Sequence, residues 1–296
     1  MDATLELRDP VSRVIRDYWH GRAVHFDAGD WQVNRDPGTF ERWRDVYREA
    51  LGPTPLRVLD VGSGTGEVVF LLRGLGHEAE GADFSPGMLA LSREKARERD
   101  PRARFTEAEA TRLPFPDGTF DAVHARMIIW TLPDRAGALR EWVRVLKPGG
   151  RLVCVEGTWY PPGLRDRVRR AIGKAIEWVA SLASRRPGRG PRHPFLPFHV
   201  EVARDLYPGR DVLPFLWGVH RGELEGILRE AGLSSVVSLD LRPLRARQRA
   251  SLPWWRRLTA PPLQDASAGW GAKPAVPRRE PSVTACAPRP AFRGIS

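Results

Sequence analysis

The segment VLDVGSGTGEV, residues 58–68, constrains this chain more than any other stretch. LRVLDV (56–61) is a short apolar run rich in β-branched residues and reads as a buried strand. EVVFLLRGLG (67–76) has the composition of a helix. Between them stand Gly62, Ser63, Gly64, Thr65 and Gly66. Glycine is needed where a backbone turns sharply and where a ligand must approach main-chain atoms closely. The helix that follows directly offers free N–H groups and a positive dipole end to whatever sits over the turn.

The rest of the first half repeats this strand–helix rhythm. Strands are expected at 77–83, 102–109, 119–126 and 151–157. A helix is expected at 86–99, with Ser85 as its N-cap and Pro86 at its first position. Another runs over 134–146 and stops at Lys147-Pro148-Gly149-Gly150. Strands alternating with helices imply βαβ crossovers, so residues 45–158 are expected to form a doubly wound, Rossmann-like, mostly parallel sheet with helices on both faces.

The flanks are less regular. Residues 1–44 read as N-terminal helices, and 39–51 carries Phe40, Trp43, Val46, Tyr47 and Ala50 on one face. Residues 159–220 read as a helical insertion after the fifth strand, holding a substrate or acting as a lid. Within it, 163–184 reads as a basic amphipathic helix, 199–207 is compatible with a short helix, and Phe195, Phe198, Phe215 and Trp217 suit an apolar pocket wall. Residues 221–258 supply a helix (221–233) and a strand (234–241) that complete the sheet. From 259 to 296 the chain is rich in Pro, Ala and Arg without periodicity and reads as a disordered tail.

Charge is unevenly spread. The formal net charge is +11, but 161–192 carries nine basic and two acidic residues and 241–296 eleven and two, which leaves the expected catalytic domain mildly acidic. A nucleic-acid footprint is therefore disfavoured against plain surface charge. Cys154 and Cys286 make no metal-ligand spacing and no disulfide framework, and no metal is expected. No run approaches the ~20 apolar residues of a spanning helix, and the charged start does not read as a secretory signal. The expected location is cytoplasmic.

The glycine turn itself says what it holds. A dinucleotide fingerprint beginning at Gly62 needs glycine at 67, where Glu67 stands. A carboxylate in the first helical turn repels a pyrophosphate and suits a ligand carrying a sulfonium and an ammonium group. Asp83 ends the second strand, 21 residues after Gly62, where an acid can accept both hydroxyls of a ribose. Glu109 sits past the third strand, placed to accept from an adenine amino group, with the Ala110 N–H beside it.

VLDVGSGTG (58–66), GADFSPGML (81–89), EAEATRLPFPDGTFDAV (107–123) and LREWVRVLKPGGRLVCVE (139–156) occur in this order. Together they resemble the class I S-adenosylmethionine-dependent methyltransferases, in particular the group similar to the menaquinone and ubiquinone C-methyltransferases (type 11). The resemblance covers roughly residues 11–160, with an echo at 221–241. It implies S-adenosylmethionine as cofactor, with Asp60, Gly62, Ser63, Gly64 and Gly66 holding its methionine part. It further implies Asp83 on the ribose, Phe84 beside the adenine, and Glu109 and Ala110 in contact with it. Aspartate is usual in the family where Glu109 stands here. RDYWHGRAVHFD (16–27) resembles the family's covering helix, with Tyr18 closing over the methyl donor. The family ends in a two-stranded hairpin; SSVVSLDL supplies its first strand, and no second strand is evident.

The implied chemistry is in-line transfer of a methyl group to a small-molecule acceptor, quinone-like, lipid or secondary metabolite. A non-catalytic S-adenosylmethionine-binding module and an RNA methyltransferase are the alternatives. A base is needed only where the nucleophile must lose a proton, and no residue is assigned that role. His124 near the end of the fourth strand, His20, His25 and Tyr18 are candidates, against the commoner fate of His124 as a half-buried strand residue and of His20 and His25 as surface residues. Arg126, Trp130 and Glu156 are further pocket candidates, with core packing the favoured role of Trp130. The acceptor is expected to be apolar or amphipathic; the favoured reading of 163–184 is a lid helix packed on the domain, with peripheral membrane contact and nucleic-acid contact as its alternatives.

Overall fold

A computed structural model of the chain describes residues 10–26, 36–158, 218–250 and 266–275. Helix α1 (Pro10–Phe26) and helix α2 (Pro37–Leu51) precede the sheet. Asp36 caps α2 by accepting from the Thr39 N–H at 2.9 Å. Strand β1 (Arg57–Val61), helix α3 (Glu67–Gly74), strand β2 (Glu78–Asp83), helix α4 (Pro86–Arg99), strand β3 (Phe105–Glu107) and strand β4 (Phe120–Arg126) follow. Then come a 3-10 turn (Ile129–Thr131), helix α5 (Arg135–Val145), strand β5 (Leu146–Gly157), helix α6 (Arg221–Glu230), strand β6 (Ser234–Asp240), helix α7 (Arg242–Ala250) and strand β7 (Ala266–Ala272).

The seven strands run β3-β2-β1-β4-β5-β7-β6. Strands β3, β2, β1, β4 and β5 are parallel, while β7 is antiparallel to both β5 and β6. This is the doubly wound, mostly parallel sheet expected from the alternation. The chain order reverses between β1 and β4, and ligands of such sheets bind where the carboxyl ends of the strands diverge at that point.

Alternate residues face opposite layers. Leu59, Val61, Val123, Leu152 and Cys154 pack with Leu139 and Trp142 of α5 and Leu224 and Leu228 of α6. Val58, Ala122, Val153 and Val155 pack with Trp43 and Tyr47 of α2, Val69 and Leu72 of α3, Leu89 of α4 and Leu244 of α7.

One expectation is corrected. Where the sequence predicts a disordered tail from 259 onward and no second hairpin strand, Ala266–Ala272 forms β7 in the interior of the sheet. Its sequence, ASAGWGA, lacks the β-branched signature of a strand because its neighbours fill the space. A Cβ on Gly269 would stand 3.1 Å from Leu224 and 3.2 Å from Leu228, and one on Gly271 would stand 2.9 Å from Leu233. The strand end is fixed by Lys273, whose Nζ donates to the carbonyls of Val143 (3.0 Å) and Leu146 (2.7 Å) at the end of α5. The third strand is shorter than expected, since Asp100 draws Arg102 into a turn by accepting its N–H at 3.0 Å. The helices read at 163–184 and 199–207 and the aromatic cluster at 195–217 lie outside the described residues.

Candidate functional site

The glycine turn is stapled to the end of β2. The N–H groups of Gly62 and Ser63 both donate to the Ala82 carbonyl, at 2.8 and 3.1 Å, and Gly66 N–H donates to Ser63 O at 3.0 Å. Gly62, Gly64 and Gly66 all take left-handed φ values of 69°, 55° and 85°. An L side chain at each would be strained, which is why glycine alternates here.

Asp83 completes the turn. Its Oδ2 accepts from the Gly64 N–H and its Oδ1 from the Ser85 N–H, both at 2.8 Å. Strand end and loop therefore meet in one place, as the spacing required. Burial raises the Asp83 carboxyl to about 6, against the lowering effect of its backbone N–H partners and with a further push from the Asp60 charge. Ser85 caps α4 by accepting from Met88 N–H at 3.4 Å, which frees Asp83 from that task. Glu67 is buried in the first turn of α3. Asp60, Glu67 and Asp83 make this corner of the sheet acidic, so a ligand bringing positive charge is favoured over a pyrophosphate.

Beside Asp83 the chain passes through the expected adenine edge. Ala108 N–H donates to the Asp83 carbonyl at 3.0 Å, and Phe84, Glu109 and Ala110 are all partly exposed. The Ala110 carbonyl accepts from Trp142 Nε1 at 3.0 Å, which fixes that segment to α5.

Above the turn lies α1. An ideal Cβ on Gly64 would stand 3.7 Å from Phe26 and 4.0 Å from the Met88 sulfur, both ordinary contacts, so Phe26 of α1 and Met88 of α4 lie over the Gly64 backbone. Tyr18 is half-buried, bonded to Arg22, edge-on to Trp19 and packed on the α5 side of the core. His20 is exposed, with its backbone carbonyl 2.8 Å from where a Cβ on Gly87 would sit. Its ring Nδ1 lies 3.0 Å from the same point, so His20 packs against the start of α4. His25 lies in α1, its side chain outside the described residues.

His124 is corrected as a candidate base. It is fully buried, with Nδ1 2.7 Å from Asp60 Oδ1 and Nε2 3.0 Å from the Tyr47 hydroxyl. Both ring nitrogens are engaged by groups of the protein, so neither is turned toward the glycine turn's open side. Asp60 pairs with His124 in the β1–β4 register and is 2% exposed, so its side chain is turned beneath the loop toward α2. The Tyr47–His124–Asp60 array joins helix to sheet under the glycine turn, and burial raises the Tyr47 hydroxyl well above its ordinary range. Sequence reasoning placed Tyr47 on a core face but gave no sign of this bond, because its partner lies 77 residues away.

The turn after β4 forms the other wall. Met127 has a left-handed φ of 58°, and Ile128 Cδ1 stands 2.6 Å from where a Cβ on Gly62 would sit. Trp130 is buried in the core and donates from Nε1 to the Met127 carbonyl at 2.8 Å. The guanidinium of Arg126 lies over the Trp43 ring at 5.1 Å. Among the described residues no group of His, Cys, Asp and Glu is arranged to hold a metal ion, and no helix is long and apolar enough to cross a membrane.

A family model described as "Methyltransferase domain" matches residues 59–154. A demethylmenaquinone methyltransferase of Thermus thermophilus is 42% identical over 165 residues, covering 54% of this chain and 74% of that protein. One of Deinococcus radiodurans is 45% identical over 170 residues, covering 54% and 68%. A ubiquinone/menaquinone biosynthesis C-methyltransferase of Nitrobacter hamburgensis is 41% identical over 161 residues, covering 51% and 63%. Among solved structures, geranyl diphosphate C-methyltransferase from Streptomyces coelicolor, in complex with S-adenosyl-L-homocysteine, has a TM-score of 0.56 at 17% identity, covering 90% of this chain and all of that one. Phosphoethanolamine N-methyltransferase 2 of Haemonchus contortus, in complex with S-adenosyl-L-methionine, has a TM-score of 0.56 at 18% identity, covering 88% and 60%. At these identities the two structures show a shared fold.

Proposed function

The chain belongs to the class I S-adenosylmethionine-dependent methyltransferases of the menaquinone/ubiquinone group, and from that premise we propose how it holds its cofactor and what it methylates. The Gly62–Gly66 turn takes the methionine part of S-adenosylmethionine. Asp83 exchanges its bond from Gly64 for the ribose hydroxyls, and Phe84, Glu109 and Ala110 take the adenine. The observation that carries this reading is the Asp83 carboxylate lying on the Gly64 N–H at 2.8 Å, at the carboxyl edge of the switch point. The acidic corner suits a cation, and the covering helix α1 keeps water from it.

The cofactor supplies a methyl group already activated on a sulfonium. The protein's task is to align the acceptor with it and to exclude water, which is worth several kcal/mol of barrier through orientation. In this reading α1 with Tyr18 and Phe26 is the cover, Ile128 forms the wall over Gly62, and Asp60 acts from beneath by holding the loop through His124 and Tyr47. No general base is assigned.

The acceptor is proposed to be a small apolar molecule of the quinone class, as named for the relatives above. The division into a cover (1–44), a cofactor domain (45–158), an acceptor-holding insertion (159–220) and a sheet-completing segment (221–258) belongs to the same reading. So do a cytoplasmic location and membrane contact through the basic stripe of 163–184, which would bring the enzyme to a lipid-soluble acceptor. Titration calorimetry with S-adenosylmethionine tests the site: saturable 1:1 binding that Asp83→Ala weakens at least tenfold is expected, and equal binding by both proteins overturns it. Incubation with methyl-labelled cofactor and a demethylated quinone tests the acceptor, which fails if label enters no quinone but enters another metabolite.

A further inference from the structure

Glu156 ends β5 as a fully buried carboxyl. Its Oε1 accepts from two consecutive backbone N–H groups, Ile128 at 3.0 Å and Ile129 at 2.8 Å. Among the described residues its Oε2 has no hydrogen-bond partner. Ser267, directly opposite on β7, is 3% exposed, and its hydroxyl likewise has none. Burial pushes the Glu156 carboxyl up to about 8, so the group is held as a neutral acid. Filling this volume with an apolar side chain would avoid the desolvation of a carboxyl. What the carboxyl does in return is clamp the turn after β4.

That turn is otherwise unfavourable. Met127 is a non-glycine residue in the left-handed region, and its N–H is drawn back to the Val155 carbonyl at 2.8 Å. The Ile128 side chain emerges from the clamped backbone and is pressed against Gly62, the first glycine of the cofactor turn. A continuous path therefore runs from the Glu156 Oε1 through the Ile128 backbone to the loop.

We propose that Glu156 is a positioning residue which, through the 127–129 turn and Ile128, sets the wall against which the glycine loop holds the cofactor. The proposal rests on the cofactor site described above.

The test uses the full chain and titration calorimetry with S-adenosylhomocysteine, with thermal melting to confirm folding. Glu156→Gln keeps an acceptor oxygen for both N–H groups and is expected to bind within twofold of the wild type. Glu156→Leu leaves the part-buried Ile128 N–H and the buried Ile129 N–H without their acceptor and frees the turn, and is expected to bind roughly tenfold more weakly or worse. A side chain that only filled space would give the opposite order, because leucine packs better than glutamine there. Folded Glu156→Leu binding within twofold of the wild type overturns the proposal. If Glu156→Leu does not fold, Ile128→Ala decides, since it leaves the clamp intact and removes the contact with Gly62: weakening of roughly fivefold supports the proposal, and unchanged affinity overturns it. Absence of binding by the wild type itself would overturn the cofactor site first, and the proposal with it.

Discussion

Gly64→Ala separates the loop's role in folding from its role in binding. Gly64 has φ 55°, and an alanine there takes on a left-handed conformation costing roughly 1–2 kcal/mol, offset by up to about 1 kcal/mol from a stiffer unfolded chain. The new methyl meets only Phe26 at 3.7 Å and Met88 at 4.0 Å, both ordinary contacts. The net destabilisation is therefore about 1 kcal/mol, a fall of about 2–4 °C in melting temperature for a chain of this size. Gly66→Ala is the control. Its φ is 85°, and its Cβ would stand 2.6 and 2.9 Å from the Phe105 ring and 3.1 Å from Phe70, so overpacking of about 1–3 kcal/mol adds to the backbone strain. Urea denaturation should rank Gly66→Ala clearly below Gly64→Ala. Calorimetry with S-adenosylhomocysteine should show Gly64→Ala at least tenfold weaker than wild type, about 1.4 kcal/mol, because the methyl takes the space over the Gly64 backbone where the proposed site places the ligand. A stable Gly64→Ala protein that binds as the wild type does would refute the loop as the ligand cradle.

Three further outcomes follow from the geometry. A chain ending after Leu258 loses β7 and leaves β5 and β6 without their shared partner, so it should aggregate or unfold non-cooperatively, whereas one ending after Ala275 should melt within a few degrees of the full chain; equal behaviour of both would remove β7 from the sheet. The ligand-free Asp83 carboxyl lies at about 6, and its ionised form accepts ribose hydroxyls best, so affinity for S-adenosylhomocysteine should fall about tenfold between pH 7.5 and 5, with Asp83→Asn flat over that range. Glu156, raised from 4.5 to about 8, contributes stability that is fully present below pH 4.5 and is lost as pH rises through 8. At about 1.4 kcal/mol per pH interval the loss amounts to at most about 5 kcal/mol, so Glu156→Gln should gain on the wild type in urea between pH 5 and 8; a pH-independent difference would show the carboxyl to be ionised in the fold.

What could be read from the sequence was whatever is encoded locally. The glycine turn, the Ser85–Pro86 helix start and Asp83 at the tip of β2 are each specified within a few residues, and a parallel sheet covered on both faces follows from the strand–helix alternation. What could not be read depends on distant partners. The glycines of β7 are strand residues only because Leu224, Leu228 and Leu233 occupy the space their side chains would need. His124 is indistinguishable in sequence from an exposed strand-end base until Tyr47 and Asp60 are seen to close on it. The left-handed Met127 and the Glu156 clamp carry no local signature, since the backbone conformation there is imposed from 28 residues away.

The most direct measurement is a crystal structure of the chain with S-adenosylhomocysteine. The ribose hydroxyls should lie within hydrogen-bonding distance of the Asp83 carboxylate, with the homocysteine part along Gly62–Gly66 beneath α1. A nucleoside bound away from that corner, with Asp83 still bonded to the Gly64 N–H, would contradict the account.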